Sequence, residues 1–486
     1  MVLKTIVIMI IKITREKNRM KRTGIWMALA LALIAGPLFS ADTTDDKTKE
    51  LEQKVEALQK QIDALQAAAR STELEELRRQ VAILADEVQK LRSGEEEETE
   101  IDDAERMSLG LEPSASKVYS KKQGVSLAGD GEMLYENFAE TRPALTGDEP
   151  SGGGDQIDFL RAVLYAGYRF NDRFLFNSEM EFEHATSGEG SEALGEVSVE
   201  FAHIDYRVNK DFTLRGGLIL MPMGFINEFH EPNVYLGARR PLTETMIIPS
   251  TWRENGFGIV GRSGIVDYRA YLVNGLNAAG FASDGWSEGR QDGSNAKIHP
   301  AFVARVDVTP AAGALLGGSI YGGNSGFFGE ESGTSAGSQI SENKNFLTVL
   351  GEVHAQYSTR GWDFRALYAS GSVDNVAELN KDLGLQGEAS IGESMAGGYG
   401  QAGYDLFTRR NGTMSLIPYV RFEKTNTQKS VPAGFEKDPA LDLTLWTLGL
   451  EFKPIPNIVI KADYQNADNP ENSAVDQFNI AMGYSF

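Results

Sequence analysis

From about Gly124 to Phe486, apolar and polar residues alternate with a period of two, the signature of strands that present one oily face. The last nine residues show it most cleanly: Phe478, Ile480, Met482, Tyr484 and Phe486 are apolar, and the residues between them are small or polar. In 458–464, Ile458, Ile460, Ala462 and Tyr464 alternate with Val459, Lys461 and Asp463. In 173–183, Phe174, Phe176, Met180 and Phe182 alternate with Asn177, Glu179, Glu181 and Glu183, and in 414–422 Met414, Leu416, Val420 and Phe422 alternate with Ser415, Tyr419 and Arg421. Short connections rich in Asn, Asp, Gly or Pro fall at 168–174, 206–212, 261–265, 308–313, 357–362, 408–413 and 453–457. Longer Gly-, Ser-, Asn- and acid-rich stretches lie at 136–154, 184–193, 222–252, 275–298, 323–345, 371–393, 425–441 and 466–475. Seven tight turns and eight long loops join sixteen strands, an even number that closes an antiparallel barrel with both ends on the tight-turn side.

Upstream the period becomes seven. Leu51, Val55, Leu58, Ile62 and Leu65 step by four and three, and Leu74, Leu77, Val81, Leu84, Val88 and Leu91 do the same. These are a and d positions of a coiled coil over 45–93, with charged residues and Gln on the other faces. The two blocks are out of phase across 67–72, which predicts a stutter or a break. A continuous rod would be roughly 70 Å long at about 1.5 Å per residue. A single amphipathic helix packed on a globular core is the plainer alternative. Residues 94–123 open on Glu95-Glu-Glu-Glu-Thr-Glu-Ile-Asp-Asp103 and read as an acidic, flexible linker. At the start, Met20-Lys-Arg precedes an apolar core from Ile25 to Ala35 and small residues at Ser40 and Ala41. That is the layout of a secretory signal over 1–41, its core short for a membrane span. Residues 1–19 carry a separate apolar run, Ile6 to Ile11, and Met20 reads as the true start.

The chain of 486 residues has no cysteine and five histidines, so disulfides and thiolate metal centres are excluded and a zinc cluster has little room. Its 51 Gly, 24 Phe and 16 Tyr suit strands with tight turns and interfacial aromatics. A mean hydropathy of −0.28 does not argue against a membrane, because only alternate strand residues meet lipid. A helical membrane protein needs several apolar runs of about 20 residues, and only one stretch approaches that. The net charge of −22 argues against a nucleic-acid partner. A soluble sandwich shows the same alternation with its oily face inward. Export, strand number, loop asymmetry and the terminal aromatic together favour a lipid-facing barrel. Phe486 then closes a last strand like that of a bacterial outer-membrane barrel and is the candidate signal for the outer-membrane assembly machinery. The coiled coil would hang into the periplasm.

On this phase the polar set lines the lumen, since a charge facing hydrocarbon costs about 2–4 kcal/mol at mid-depth. Arg161, Arg215, Arg269, Arg305, Arg365 and Arg421 point inward from different strands, as do Glu179, Glu181, Glu352, Glu423, Glu451, Asp267 and Asp307. Each reads singly as a wall ion pair; as opposed rows they would set a transverse field across the passage. The third long loop, 224–254, is too apolar for a loop in solvent and reads as a segment folded into the channel. His230, Arg239, Arg240 and Glu244 are its candidate constriction charges. A loop covering a neighbouring subunit is the alternative.

Within that loop, Asn227-Glu-Phe-His-Glu-Pro232, Arg240-Pro-Leu-Thr-Glu244 and the stretch from Ile248 to Gly258 resemble the phosphate-selective porin O/P family, with the likeness covering about 124–486. The resemblance implies a homotrimer of sixteen-stranded porins with the third loop folded inward. In phosphate-binding members it implies an arginine ladder and a lysine cluster. The six inward arginines are candidates for the ladder, but the barrel is poor in lysine and rich in acid, a departure from the pattern. The heptads favour a parallel dimer, a preference that a trimeric barrel interface would override. Gly256-Phe-Gly-Ile-Val-Gly261 matches the dinucleotide pattern in letters only, because it lies in a strand that leads into a turn. The histidines are scattered; a Ser-His-acid hydrolase barrel is the enzyme alternative, and nothing in the sequence favours a particular Ser–His pair for it.

The expectation is an all-β, non-enzymatic outer-membrane porin that needs no cofactor or metal. It would be a sixteen-stranded antiparallel transmembrane barrel preceded by an α-helical coiled coil, passing small hydrophilic solutes or ions by passive diffusion. A structural role stands beside it, with the barrel anchoring a coiled-coil tether or spacer that reaches the cell wall.

Overall fold

Alternation leaves each strand with one apolar and one polar face, and a sheet of such strands must direct each face to a different medium. Here the sheet closes on itself. The computed structural model describes residues 101–139, 155–185, 195–296, 298–326, 345–408 and 412–486, together with seven positions between Lys49 and Arg79. Those seven are helical and exposed, with Lys60 and Glu56 paired one turn apart at 2.7 Å. The heptad positions from Leu51 to Leu91 lie outside the described residues, as do the leader and the acidic front of the linker.

Sixteen strands follow in chain order. The first eight are β1 (Gly124–Phe138), β2 (Asp155–Arg169), β3 (Phe174–Glu183), β4 (Val197–Asn209), β5 (Phe212–Leu220), β6 (Arg253–Ser263), β7 (Val266–Asn274) and β8 (Pro300–Ala311). Then come β9 (Ala314–Asn324), β10 (Leu347–Thr359), β11 (Trp362–Val373), β12 (Ser394–Tyr404), β13 (Ser415–Ser430), β14 (Asp442–Ile455), β15 (Ile458–Asp468) and β16 (Gln477–Ser485). Each pairs antiparallel with its chain neighbours, and β1 pairs with β16, Met133 opposite Met482. The barrel therefore has no free edge, which leaves no strand with unpaired backbone groups. Phe486 extends the last strand, exchanging backbone hydrogen bonds with Gly129 at 2.8 and 3.1 Å.

The outer face carries large exposed apolar side chains along its whole circumference, among them Ile157, Phe257, Leu272, Val353, Leu448 and Ile480. Aromatics gather near the tight turns: Phe174 against Tyr206 at 4.7 Å, and Trp362 against Phe364 and Tyr404 at 5.4 and 4.8 Å. An oily belt with an aromatic rim is the surface that a bilayer requires.

The interior departs from a purely polar-lined channel. Inward residues of β2 to β12 include Tyr165, Leu175, Phe201, Ile219, Tyr271, Tyr321, Leu350 and Tyr399, and these form one apolar cluster with side chains from the long loops. Part of that cluster comes from the expected flexible linker, which is corrected here for residues 101–123. They form α1 (Asp103–Ser108) and α2 (Lys117–Ser120) and bury Leu109, Leu111, Ala115, Val118 and Tyr119 inside the barrel. Acidic Asp102 is used as a cap, accepting from the Glu105 N–H at 2.7 Å, and the five apolar residues after Ser108 supply the burial that an acid-rich linker lacks.

The belt makes a direct prediction. Leu448→Arg places a charge at the middle of outward-facing β14, and refolding into phospholipid vesicles followed by urea titration should show a loss of about 2–4 kcal/mol. A loss near zero would mean that this face meets water.

Candidate functional site in the lumen

The loop between β5 and β6, residues 221–252, is called L3 here; Arg253 and Glu254, expected within it, begin β6. Asn227 closes its neck. The side-chain carbonyl accepts from Trp252 N–H at 2.7 Å, while its amide donates to the Met221 and Trp252 carbonyls at 2.7 and 3.0 Å. Three of the four bonds an amide can make are thus spent on holding the two ends of the loop together. Trp252, fully buried, stands edge-on to Tyr321 at 4.7 Å.

From this neck L3 crosses to the opposite wall. Asn233 donates to Ser485 Oγ at 2.9 Å, the Ala238 N–H to Asp463 at 2.7 Å and the Leu242 N–H to Glu423 at 2.7 Å. Lys461 Nζ stands 3.7 Å from the centre of the Tyr235 ring. A segment laid through a lumen exposes backbone groups that no sheet pairs, and each needs a partner. The wall arginines supply donors for the carbonyls. Arg421 donates to the Leu236 and Arg239 carbonyls at 3.1 and 3.2 Å, Arg365 to Val234 at 3.3 Å, and Arg305 to Gly224. The N-terminal segment is held in the same way, with Arg215 donating to Leu109 at 3.0 Å, Arg169 to Tyr119 at 2.7 Å, and Arg269 to Met107.

Each of the six expected arginines also lies beside a carboxylate. Arg161 pairs with Glu132 and Glu181, both at 3.0 Å, Arg215 with Asp205 at 2.8 Å and Arg269 with Glu228 at 3.1 Å. Arg305 meets Asp307 at 2.8 Å, Arg365 meets Asp363 at 3.1 Å and Arg421 meets Glu423 at 2.7 Å. Asp267 pairs with Arg262 at 3.2 Å, and Glu352 receives His354 at 2.8 Å, which also reaches Asp307. Glu451 meets Lys453 at 2.9 Å.

The four constriction candidates divide. Arg239 and Arg240 are half-exposed; Arg239 grips Glu136 with two bonds of 2.6 Å and Arg240 donates to Ser250 Oγ at 2.6 Å. His230 and Glu244 are buried and hold the loop instead of lining a passage. Glu244 accepts from the Phe225 and Ile226 N–H groups at 2.6 and 2.7 Å and from the Tyr399 hydroxyl at 2.6 Å. Burial lifts its carboxyl above the ordinary range although these donors pull the other way. Gly224, at φ +69°, lets the loop turn over this carboxylate; an added Cβ would lie 2.4 Å from Glu244 Oε2.

L3 rests directly on the N-terminal segment, a contact that sequence reasoning missed. Glu231 accepts from the Ser114 N–H at 2.6 Å, Glu112 accepts from the Glu231 N–H, and Tyr165 reaches Glu112 at 3.2 Å. Burial pushes the Glu112 carboxyl up to about 8 and that of Glu231 up to about 7. Burial opposes charge on His230, but Glu112 and Glu179 outweigh it and hold the imidazole well above its usual range. His230 Nε2 faces Glu179 at 3.1 Å and Glu200 at 3.3 Å. Glu200 faces inward together with its neighbour Phe201 because of a register break in β4: Glu179 pairs with Phe201 but Met180 with Val199. The local sign of this is a change of phase: the outward apolar residues are Val197 and Val199 before the break and Ile204 after it.

Together these features define a single-chain antiparallel β-barrel whose lumen is crossed by its third loop and by the segment preceding β1. The chain belongs to the same family as an uncharacterised protein of Aquifex aeolicus (strain VF5), to which it is 34% identical over 390 residues, 78% of this chain and 83% of the relative. No family model matches. Among solved structures, it resembles the outer-membrane channel DcaP of Acinetobacter baumannii (10% identity, 74% of this chain and 97% of that one, TM-score 0.48). It also resembles OmpF of Salmonella typhi (13%, 75% and 98%, 0.48) and OmpT of Vibrio cholerae (11%, 76% and 99%, 0.45).

The Glu244 anchor is testable. Tyr399→Phe removes one bond to a buried carboxylate and should cost about 1.5–3 kcal/mol in urea titration. Glu244→Ala, which strands two N–H groups as well, should cost more and open L3 to limited proteolysis.

Proposed function

We propose that this protein is an outer-membrane channel, passing small hydrophilic solutes or ions by diffusion along the part of the lumen that L3 and the N-terminal segment leave open. The observation that carries this reading is the closed sixteen-stranded sheet with an apolar belt outside and ion-paired side chains inside. Such a wall has no use in a soluble protein, which would bury the belt instead. Phe486 acts as the signal for the assembly machinery, and three copies associate in the membrane. The resemblance to phosphate-selective porins extends to the inward third loop. The arginines that a phosphate ladder needs are engaged with loop carbonyls and carboxylates, which favours a general charged passage over a phosphate path.

On this reading Arg239 and Arg240, the half-exposed charges of L3, set the ion preference. In planar bilayers under a salt gradient, Arg239→Gln with Arg240→Gln should shift the reversal potential toward cation selectivity. An unchanged potential would place the narrowest point elsewhere.

The envelope-tether reading has an observation of its own. Residues 105–119 are fastened to strand ends at the tight-turn side by Arg207, Arg169 and Arg215, so a pull on the preceding chain is borne by the wall. Deleting 46–93 while keeping the leader separates the two roles. Persistent conductance with a detached envelope supports both, and lost conductance with an intact envelope removes the tether.

A further inference from the structure

We propose that Glu179, Glu200 and His230 bind a divalent first-row transition ion, of the Zn2+ type, that clamps L3 to the barrel wall. The three residues come from β3, β4 and L3, and one donor atom from each lies within 4.8 Å of the others. All three residues are at least 98% buried. His230 Nε2 stands 3.1 Å from Glu179 Oε1 and 3.3 Å from Glu200 Oε2. Donors that share one ion at bonds of about 2.0–2.2 Å sit about 3–3.5 Å apart, and both distances from His230 Nε2 fall in that range.

Hydrogen bonding alone leaves this site incomplete. His230 Nδ1 faces the Asn227 carbonyl at 3.3 Å, the arrangement that fixes a ligating imidazole with Nε2 free to bind. A single N–H at Nε2 can serve one carboxylate well, and two converge on it. Glu200 Oε2, the oxygen turned toward the ring, and Glu179 Oε2 make no hydrogen bond although both are buried. Neither does Glu231 Oε2 nor Asp130 Oδ2 close by.

The local charge points the same way. Tyr165 Oη reaches Glu112, Asp130 and Glu179 at 3.2–3.4 Å, one hydroxyl proton among three carboxylates. Arg253 approaches Glu200 at 3.4 Å, and Arg161 is committed to Glu132 and Glu181. Carboxyl groups buried this close together must share protons or a compact cation, and the imidazole set between Glu179 and Glu200 suits the cation. Imidazole with carboxylate suits Zn2+ or Mn2+; Ca2+ and Mg2+ prefer all-oxygen sites. The β4 register break that turns Glu200 inward beside Phe201 supplies the third donor. The inference is independent of whether the lumen conducts, because it concerns the seating of L3.

The test uses the full chain refolded in detergent with Zn2+, desalted, and assayed for metal by mass spectrometry and for thermal stability. Wild type should retain about one Zn2+ per chain and lose thermal stability on chelation. Glu200→Gln and His230→Gln, checked for the heat-resistant folded band, should bind Zn2+ at least about tenfold more weakly. Zinc absorption spectra of wild type, which need no variant to fold, should show imidazole and oxygen donors. Wild type free of metal after loading, equal retention by both folded variants, or spectra without imidazole would each overturn the site, leaving His230 as a plain ion-pair partner.

Discussion

A polypeptide threaded through the inside of a barrel has no neighbouring strand to satisfy its N–H and C=O groups, and most of what lines this lumen answers that need. Arginines from the wall donate to carbonyls of L3 and of the N-terminal segment, and carboxylates from the wall and from the segments themselves accept the N–H groups. Guanidinium is suited to this work because it stays charged when buried and offers several donors in a fixed plane. Arg215, Arg269, Arg305, Arg365 and Arg421 each also keep a carboxylate partner, so that neither charge is buried alone.

This division of labour changes what the inward charges mean. In an empty channel a row of arginines would face the solute. Here five of the six expected ones hold a loop or segment carbonyl, and Arg161 binds two wall carboxylates. Among the partly exposed cationic groups are two on L3 itself, Arg239 and Arg240, and Arg365 on the wall. The wall charges serve mainly as support for L3 and the N-terminal segment.

The barrel was legible in the sequence because its signals are local. Strand alternation needs only neighbours two apart, and turns such as 168–174 or 408–413 announce themselves by Asn, Asp and Gly. The inward course of L3 was legible from its apolar content, and so was the inward direction of residues such as Arg305 and Asp307. The N-terminal segment was not. Its front is strongly acidic, and Leu109, Leu111, Val118 and Tyr119 are too sparse to form a periodic face; only the cavity they fill explains them. The sequence also placed His230 and Glu244 beside Arg239 and Arg240, since linear proximity cannot tell a buried anchor from an exposed charge. Glu200 was missed because the register break beside it, which turns Phe201 inward as well, interrupts the period of two.

The far anchorage of L3 falls on the joint where the barrel shuts. Asn233 holds β16 through Ser485, Tyr235 and Arg239 reach β1 through Glu132 and Glu136, and Ala238 is tied to β15. The first and last strands, whose pairing completes the cylinder, are thus interlocked from within by a peptide that leaves the wall between β5 and β6. Until β1 and β16 meet, the part of the seat that they supply through Glu132, Glu136 and Ser485 is not assembled. Sealing the cylinder and lodging its central strut are one cooperative step, and prising the seam apart must dislodge the strut.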